Sequence, residues 1–310
     1  MVNESNIRRA SIDIGSNTVL LLAGIIEEGR LTQELANESR VTSLGKDLDT
    51  TRVFSDQSMK DTEDALLEYK EILMNLGISN DQIVVTATEA SRVAQNAPDF
   101  YQKMKALTGF NFEIISGEAE AYYTSLGVVK GTELSGHDIT IMDIGGASTE
   151  LIKVNLEPFS IEKTISLPMG SVRCTDWLAQ GEFDLRAQEL LKKFDVSEFK
   201  TEHLLCVAGS MTSLGAMIKG LKEFDSAGVN GVKIEFEQFL KFSSKIKLAP
   251  KESIAQKFPF LGKRVHSIVG GALLGEVLGA ALGVKTFEIS TLGLRYGTLI
   301  SGGIDERFCR

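Results

Sequence analysis

The sequence predicts an α/β protein built from two duplicated domains. Three observations carry that expectation. The 310 residues exceed one ordinary domain and suit two of about 150. Candidate strands and helices are mixed in both halves, as α/β layers require. Finally, Ser11-Ile12-Asp13-Ile14-Gly15-Ser16-Asn17-Thr18 returns as Ile141-Met142-Asp143-Ile144-Gly145-Gly146-Ala147-Ser148-Thr149, with the two Asp-Ile-Gly elements 130 residues apart. Each closes a first strand and leads into another, so the repeat marks a restart of the same unit, with the two turns facing each other.

Taken in order, apolar runs predict strands over Arg9–Ile14, Val19–Ile26 and Leu31–Leu44. A helical pattern follows over Ser55–Leu76, with Ser55 as N-cap and Gly77 as the stop. Next come a strand over Gln82–Thr86, a helix over Pro98–Leu107, a strand over Phe112–Ile115 and a helix over Gly117–Val129. The polar, glycine-containing segment Lys130–Asp138 is the predicted junction, giving domains 1–130 and 131–310. Beyond it, strands are predicted over Ile139–Asp143, Glu150–Val154 and Ile161–Leu167, and helices over Gly170–Ala179 and Leu185–Phe194. A strand over His203–Val207 and a helix over Ser210–Lys219 come next. Arg264–Leu282 reads as one helix rich in small residues, Thr286–Ile289 as a strand, and Leu292–Ile300 as a last helix.

Composition removes several function classes. The net charge of -9 supplies no basic face for nucleic acid. The longest apolar run, Val19–Ile26, is too short to span a bilayer, and the N-terminus has no signal-type apolar core. Cys174, Cys206 and Cys309 form no CxxC pair, which fits plain thiols in a reducing cytoplasm. No nucleic-acid or membrane partner is expected. A homodimer is compatible with the sequence, which marks no interface. Any polyanionic ligand of so acidic a chain must be held by local cations, backbone N–H groups and bound metal.

The repeated motif offers such a hold. Its glycines are expected to allow backbone angles that other residues disfavour, so that neighbouring N–H groups converge. Convergent N–H groups and small hydroxyls make an anion nest, and an Asp at the strand end suits Mg²⁺. Val207-Ala208-Gly209-Ser210-Met211-Thr212 is a third loop, between a strand and a helix. Its Gly209-Ser210 turn is either a phosphate site at a helix N-terminus or an ordinary helix cap.

These residues resemble the exopolyphosphatase/guanosine pentaphosphate phosphatase family of the actin, sugar kinase and heat-shock ATPase superfamily. The matching segments are Ser11–Leu22, Arg40–Leu48, Thr86–Asn96, Glu113–Val128, Thr140–Ile152, Ser166–Val172, Val207–Ala216 and Arg264–Gly297, in family order across nearly the whole chain. The resemblance implies two duplicated ribonuclease-H-like domains with an interdomain cleft, in the short two-domain form. It implies Mg²⁺ as cofactor, and inorganic polyphosphate or guanosine pentaphosphate as the molecule that loses its terminal phosphate.

Roles carry over by position. In Ser116-Gly117-Glu118-Ala119-Glu120-Ala121, Glu120 matches the family's proposed general base, and Glu118 is expected to be solvated. Asp143 matches a second acidic residue that orients Mg²⁺ or the water, and Asp13 is similar on the metal side. Arg92 matches an arginine that contacts phosphate, for which a planar fork suits two oxygens at once. Asn17, Thr18, Gly145, Gly146, Ser148 and Thr149 match phosphate-loop positions, and Gly209 and Ser210 the third loop. Arg40 and Arg295 lie in matching motifs, where a structural ion pair is the other reading.

The chain departs from the family pattern at Ala147, where a third glycine is usual, and at Ala208 and Ser210, where Gly-Gly-Thr is usual around Gly209. His266 stands in place of an aspartate, and Gly270 in place of a frequent proline. His137, His203 and His266 lack metal-ligand spacing. Trp177 and the sixteen phenylalanines are read as core, and Gly270, Gly271, Gly275, Gly279 and Gly283 as a close-packing stripe. Two other classes remain at this point: an ATPase or kinase of the same superfamily, and a non-catalytic nucleotide sensor.

Overall fold

Both Asp-Ile-Gly elements end a strand and turn a hairpin. The computed structural model describes residues 7–134 and 136–308, so Cys309 lies outside the described residues. Strand β1 (Ile7–Ile14) pairs antiparallel with β2 (Thr18–Glu27), and Ile14 opposite Val19 is the last pair before the turn. Along β1 the alternation places Ala10, Ile12 and Ile14 in the core, as a half-buried strand does. Strand β3 (Arg30–Val41) returns along β2, while β4 (Ile83–Ala87) and β5 (Phe112–Ile114) run parallel to β1. The sheet order is β3-β2-β1-β4-β5.

Between these strands lie α1 (Leu48–Thr51), α2 (Asp56–Asn75), α3 (Glu89–Val93), α4 (Ala97–Thr108) and α5 (Gly117–Gly131). Helix α2 starts where expected: Ser55 is its N-cap and accepts from the Ser58 amide. Its Ala65, Leu66, Tyr69 and Leu73 recur at helical spacing and are buried, covering the sheet.

The second unit repeats the plan. Strands β6 (Asp138–Ile144), β7 (Thr149–Leu156) and β8 (Phe159–Leu167) form an antiparallel meander, with Ile144 opposite Thr149. Strand β9 (His203–Val207) runs parallel to β6, and β11 (Thr286–Ile289) parallel to β9. The order β8-β7-β6-β9-β11 therefore reproduces that of the first sheet, with β10 (Val232–Glu235) added at the far edge. Two copies of this order are the duplicated α/β architecture that the sequence predicts, in the ribonuclease-H-like topology that the family resemblance implies. The helices are α6 (Ser171–Ala179), α7 (Phe183–Lys193), α8 (Ala208–Ile218), α9 (Ser226–Val229), α10 (Phe236–Leu248), α11 (Lys251–Lys257) and α12 (Ile268–Leu282). Trp177 joins the core of this unit beside Phe183 and Phe239.

Three features differ from the sequence reading. The compact units are Met1–Glu133 with Leu292–Arg310, and Leu134–Thr291, so 131–310 is not one unit. The last helix, α13 (Leu294–Ser301), returns to the first unit, where its backbone touches α5: a Cβ on Gly297 would lie 1.8 Å from the Tyr123 carbonyl oxygen. No local pattern announces a contact so distant in sequence. Secondly, Arg264–Leu282 is not one helix. A 3₁₀ segment over Pro259–His266 meets α12 at Ser267 with a 75° bend. Thirdly, residues 220–263, left unassigned by sequence, hold α9, β10, α10 and α11. The four-residue β10 exists only through its pairing with β11.

The glycine stripe of α12 does serve close packing. A Cβ on Gly270 would meet the Ser171 carbonyl at 2.5 Å, and one on Gly275 the Phe239 ring at 2.8 Å. Gly283 ends the helix at φ 73°, where glycine is favoured. Among the described residues no single helix is long and apolar enough to cross a membrane.

Candidate active site

In the first unit the parallel strands β1, β4 and β5 end side by side. The Thr88 amide donates to the Ile14 carbonyl at 3.2 Å, and the Ile115 amide to the Ala87 carbonyl at 3.0 Å. Gly15–Thr18 leaves the end of β1, while Arg92 lies just beyond β4 and Glu120 just beyond β5. In the second unit β6 and β9 end likewise at Gly145–Ser148 and at Gly209-Ser210. Ligands of open α/β sheets bind at the carboxyl ends of such strands. Each unit thus gathers its share of the candidate residues on one sheet edge.

The two turns are built alike. The Gly15 amide donates to the Thr18 carbonyl at 2.9 Å, and the Gly145 amide to the Ser148 carbonyl at 3.0 Å. Neither glycine takes a positive φ, contrary to the expectation from sequence. What they supply is room: a Cβ on Gly145 would lie 3.2 Å from the Ser148 carbonyl oxygen.

Behind each turn, chain that follows the third strand holds the turn's carbonyls. In the first unit the Gly45 amide donates to Ser16 O at 2.7 Å, and the Thr42 and Ser43 amides donate to Asn17 O at 3.1 Å each. In the second, the Ser171 and Val172 amides donate to Gly145 O and Gly146 O at 2.9 Å each, and Arg173 Nη1 donates to Ala147 O at 2.7 Å. Among the described residues the amides of Ser16, Asn17, Gly146 and Ala147 have no acceptor. A turn whose carbonyls are pinned back and whose amides are unpaired is an anion nest. The methyl of Ala147 fits without a left-handed backbone.

Helix α5 presents the candidate base. Ser116 caps it by accepting from the Ala119 amide. Ala119 and Ala121 face the core, Glu118 is exposed and Glu120 is partly buried. Arg92 joins Glu120 from α3, its Nη1 and Nη2 donating to Oε2 at 3.1 and 3.2 Å while Nη1 also donates to the Ile115 carbonyl at 2.7 Å. The side chains are 24% and 18% exposed, so the pair remains open to a ligand.

Asp13, opposite Leu20 and beside Thr86 in the sheet, is partly buried, and its Oδ1 is shut off from solvent with no hydrogen-bond partner. Burial pushes its pKa up to about 7, against the pull of the Arg295 guanidinium. Arg295 itself is anchored on the Leu21 carbonyl at 3.0 Å and Asn37 Oδ1 at 2.8 Å. Arg40 is a structural ion-pair residue: it bonds Glu68 and Glu38, and these hydrogen bonds, Glu68 foremost, raise its pKa.

In the second unit Asp143 lies opposite Glu150 across the β6–β7 hairpin. Glu150 Oε1 accepts from the Ser148 and Ser166 hydroxyls, each at 2.7 Å. Thr149 is a correction to the phosphate-binding set. It is fully buried and its hydroxyl donates to the Met169 carbonyl at 2.7 Å, so it fixes the hairpin and leaves phosphate contact to its neighbours. Ser210 is nearly buried, and a Cβ on Gly271 of α12 would lie 3.1 Å from its own Cβ. The Arg264 guanidinium covers Gly209, its Nη2 2.9 Å from where a Cβ would stand, and Nη1 donates to Ser213 Oγ at 3.2 Å. Ala208, which opens this loop, is held at φ 66°.

A family model described as the Ppx/GppA phosphatase family matches residues 25–303. The chain belongs to the Ppx/GppA phosphatase family. Within that family it is 26% identical over 317 residues to Exopolyphosphatase 2 of Mycobacterium tuberculosis, covering 95% of this chain and 98% of that protein. It is 29% identical over 294 residues to the Bifunctional 3-dehydroquinate synthase/phosphatase of Fusobacterium nucleatum, covering 89% of this chain but 44% of that protein. Against the guanosine-5'-triphosphate,3'-diphosphate pyrophosphatase of Aliivibrio fischeri it is 36% identical over 178 residues, 57% of this chain and 34% of that protein. It thus spans less than half the length of the last two. The crystal structure of the Aquifex aeolicus Ppx/GppA family member superimposes with a TM-score of 0.79 at 28% identity, covering 96% of this chain and 97% of that one.

Glu150, Arg173 and Arg264 touch the candidate loops of this Ppx/GppA chain and were not read as site residues from the sequence. Glu150 was legible in principle, because a hairpin with Ile144 opposite Thr149 must put residue 150 opposite Asp143. Leu20 holds the equivalent place in the first hairpin, so the second alone carries two acids there. Arg173 and Arg264 had no such signal, since each reaches its loop from a separate element. His266 lies exposed with Nδ1 3.1 Å from Lys251 Nζ, and His203 pairs with Glu288 at 2.8 Å. Among the described residues no three His, Cys, Asp or Glu side chains form a metal-holding group.

Proposed function

We propose that the chain is a phosphoanhydride hydrolase that releases terminal phosphate from inorganic polyphosphate, from guanosine pentaphosphate, or from both. The observation that carries this reading is the pair of hairpin nests, one per unit, each with carbonyls pinned back and amides unpaired. The relative that this chain matches over 98% of its length is named an exopolyphosphatase, so polyphosphate is the first substrate to assay. The acidic composition favours shorter chains, because a long one calls for an extended basic track.

In the proposed reaction each nest offers its N–H groups to phosphate oxygens, and Arg92 offers its fork to phosphate. Glu120 accepts a proton from a water whose oxygen attacks the terminal phosphorus, and the bond to the bridging oxygen breaks with its electron pair leaving on that oxygen. Each unit offers an acid proposed for Mg²⁺: Asp13 in the first, and Asp143, with Glu150 opposite it, in the second. The fit rests on the orphaned Oδ1 of Asp13 and on hard oxygen chemistry: Mg²⁺ needs one or two carboxylates beside waters and phosphate oxygens, with no all-protein cage. When bound, it would neutralise charge on the phosphate oxygens.

The buried thiols Cys174 and Cys206 suit a reducing cytoplasm, where we place the protein without a nucleic-acid or membrane partner; a homodimer would show as twice the monomer mass in sedimentation. The deciding assay is phosphate release from medium-chain polyphosphate and from guanosine pentaphosphate, with Mg²⁺ and with chelator. Mg²⁺-dependent release from at least one is expected, with loss of about 10²–10⁴-fold in rate for Glu120→Gln. Absence of release from both overturns the reading.

A further inference from the structure

We propose that Arg92 is a positioning residue with two successive partners, holding Glu120 in the free protein and passing to the substrate phosphate on binding. The inference rests on the hydrolase reading and adds a step to it. The geometry of the pair points that way. Both terminal nitrogens of Arg92 converge on one oxygen, Glu120 Oε2, at 3.1 and 3.2 Å. That is longer than the ~2.7–2.9 Å of a strong charge-assisted bond, and it forgoes the parallel fork that a guanidinium makes with two oxygens. A phosphate offers two oxygens at once and more charge. It is the better partner for the same donors.

The arginine has a pivot for such an exchange. Its Nη1 is also held by the Ile115 carbonyl at 2.7 Å, directly before the Ser116 cap of α5. That bond needs one proton of one nitrogen, so the fork can turn from carboxylate to phosphate while it stays anchored. The exposure of both side chains leaves the approach open. Energetics agree: a partly exposed ion pair is worth little, so an incoming anion has only a small cost to overcome. The functional consequence is timing. While Glu120 Oε2 accepts from Arg92, that oxygen is a poor acceptor for a water proton. Phosphate binding draws the guanidinium off and leaves the carboxylate better able to take that proton, so the base is strengthened when substrate is in place.

The test is a double-mutant cycle on binding, read by titration calorimetry with a methylene-bridged diphosphonate, which cannot be hydrolysed, in Mg²⁺ buffer. The proteins are the full chain, Glu120→Gln, Arg92→Gln and the double variant. Glu120→Gln, though slow in turnover, is expected to bind the diphosphonate about 3- to 10-fold tighter, the scale of one partly buried ion pair. In the Arg92→Gln background that gain should vanish. A gain of equal size in both backgrounds would mean plain relief of charge repulsion and overturn the proposal. So would no gain at all, whether binding is tight or absent in all four. Phosphate release by the full chain is scored separately: release without the gain refutes the exchange alone, and no release refutes the hydrolase reading.

Discussion

A Cβ placed on Gly170 would stand 2.5 Å from both the carbonyl carbon and the carbonyl oxygen of Gly146. The second nest therefore exists because the chain entering α6 has no side chain at this point. The first unit repeats the device, where a Cβ on Gly45 would stand 2.8 Å from the Ser16 Cβ. Gly170→Ala is expected to cost about 1–3 kcal/mol, as overpacking does, and to lower phosphate release by about 10²-fold through displacement of the turn. Thermal melting and the phosphate assay measure the two effects. An unchanged rate would show that the turn's position does not matter to the chemistry.

Ala208 stores backbone strain. Its φ of 66° is a conformation that costs a residue with a Cβ about 1–2 kcal/mol. Glycine removes that strain and gives part of it back through the greater freedom of the unfolded chain. Ala208→Gly should therefore stabilise the protein by about 0.5–1 kcal/mol in denaturant unfolding. No gain would mean that the loop has already relaxed around the methyl.

Thr149 should act on stability alone. Its hydroxyl is buried on the Met169 carbonyl, so Thr149→Val leaves that carbonyl unpaired at a cost of about 1–3 kcal/mol. The KM for polyphosphate should stay within about two-fold. A tenfold rise would return this residue to the substrate-contacting set.

Cys174 supplies a pH dependence. Burial pushes its thiol from the usual 9.0 up to about 12, with Arg173 pulling weakly the other way. Between those values the folded chain keeps a proton that the unfolded chain has lost, so this contribution is intact below pH 9 and is lost as pH rises toward 12. Melting temperature should decline over that window, and less steeply in Cys174→Ala. Iodoacetamide at pH 9 should modify the Cys174 peptide only when denaturant is present. Rapid labelling of the native protein would contradict the burial.

The sequence by itself determined the duplication, most of the strands and the candidate acids. A hairpin is local: once Asp13 and Asp143 end apolar strands and small residues come next, alternation fixes which side chains face the core. The cap at Ser55, the Glu120 helix and the turns at Gly15 and Gly145 were legible for the same reason. Tertiary structure decided what local pattern cannot carry. It alone returned α13 to the first unit, because a backbone contact between Gly297 and the Tyr123 carbonyl has no signature in either segment. It withdrew Thr149 from the phosphate set, joined Arg92 to Glu120, and brought Arg173 and Arg264 to their loops. Each of these rests on groups far apart in the chain, whose meeting depends on how whole elements pack and not on the spacing of residues along one of them.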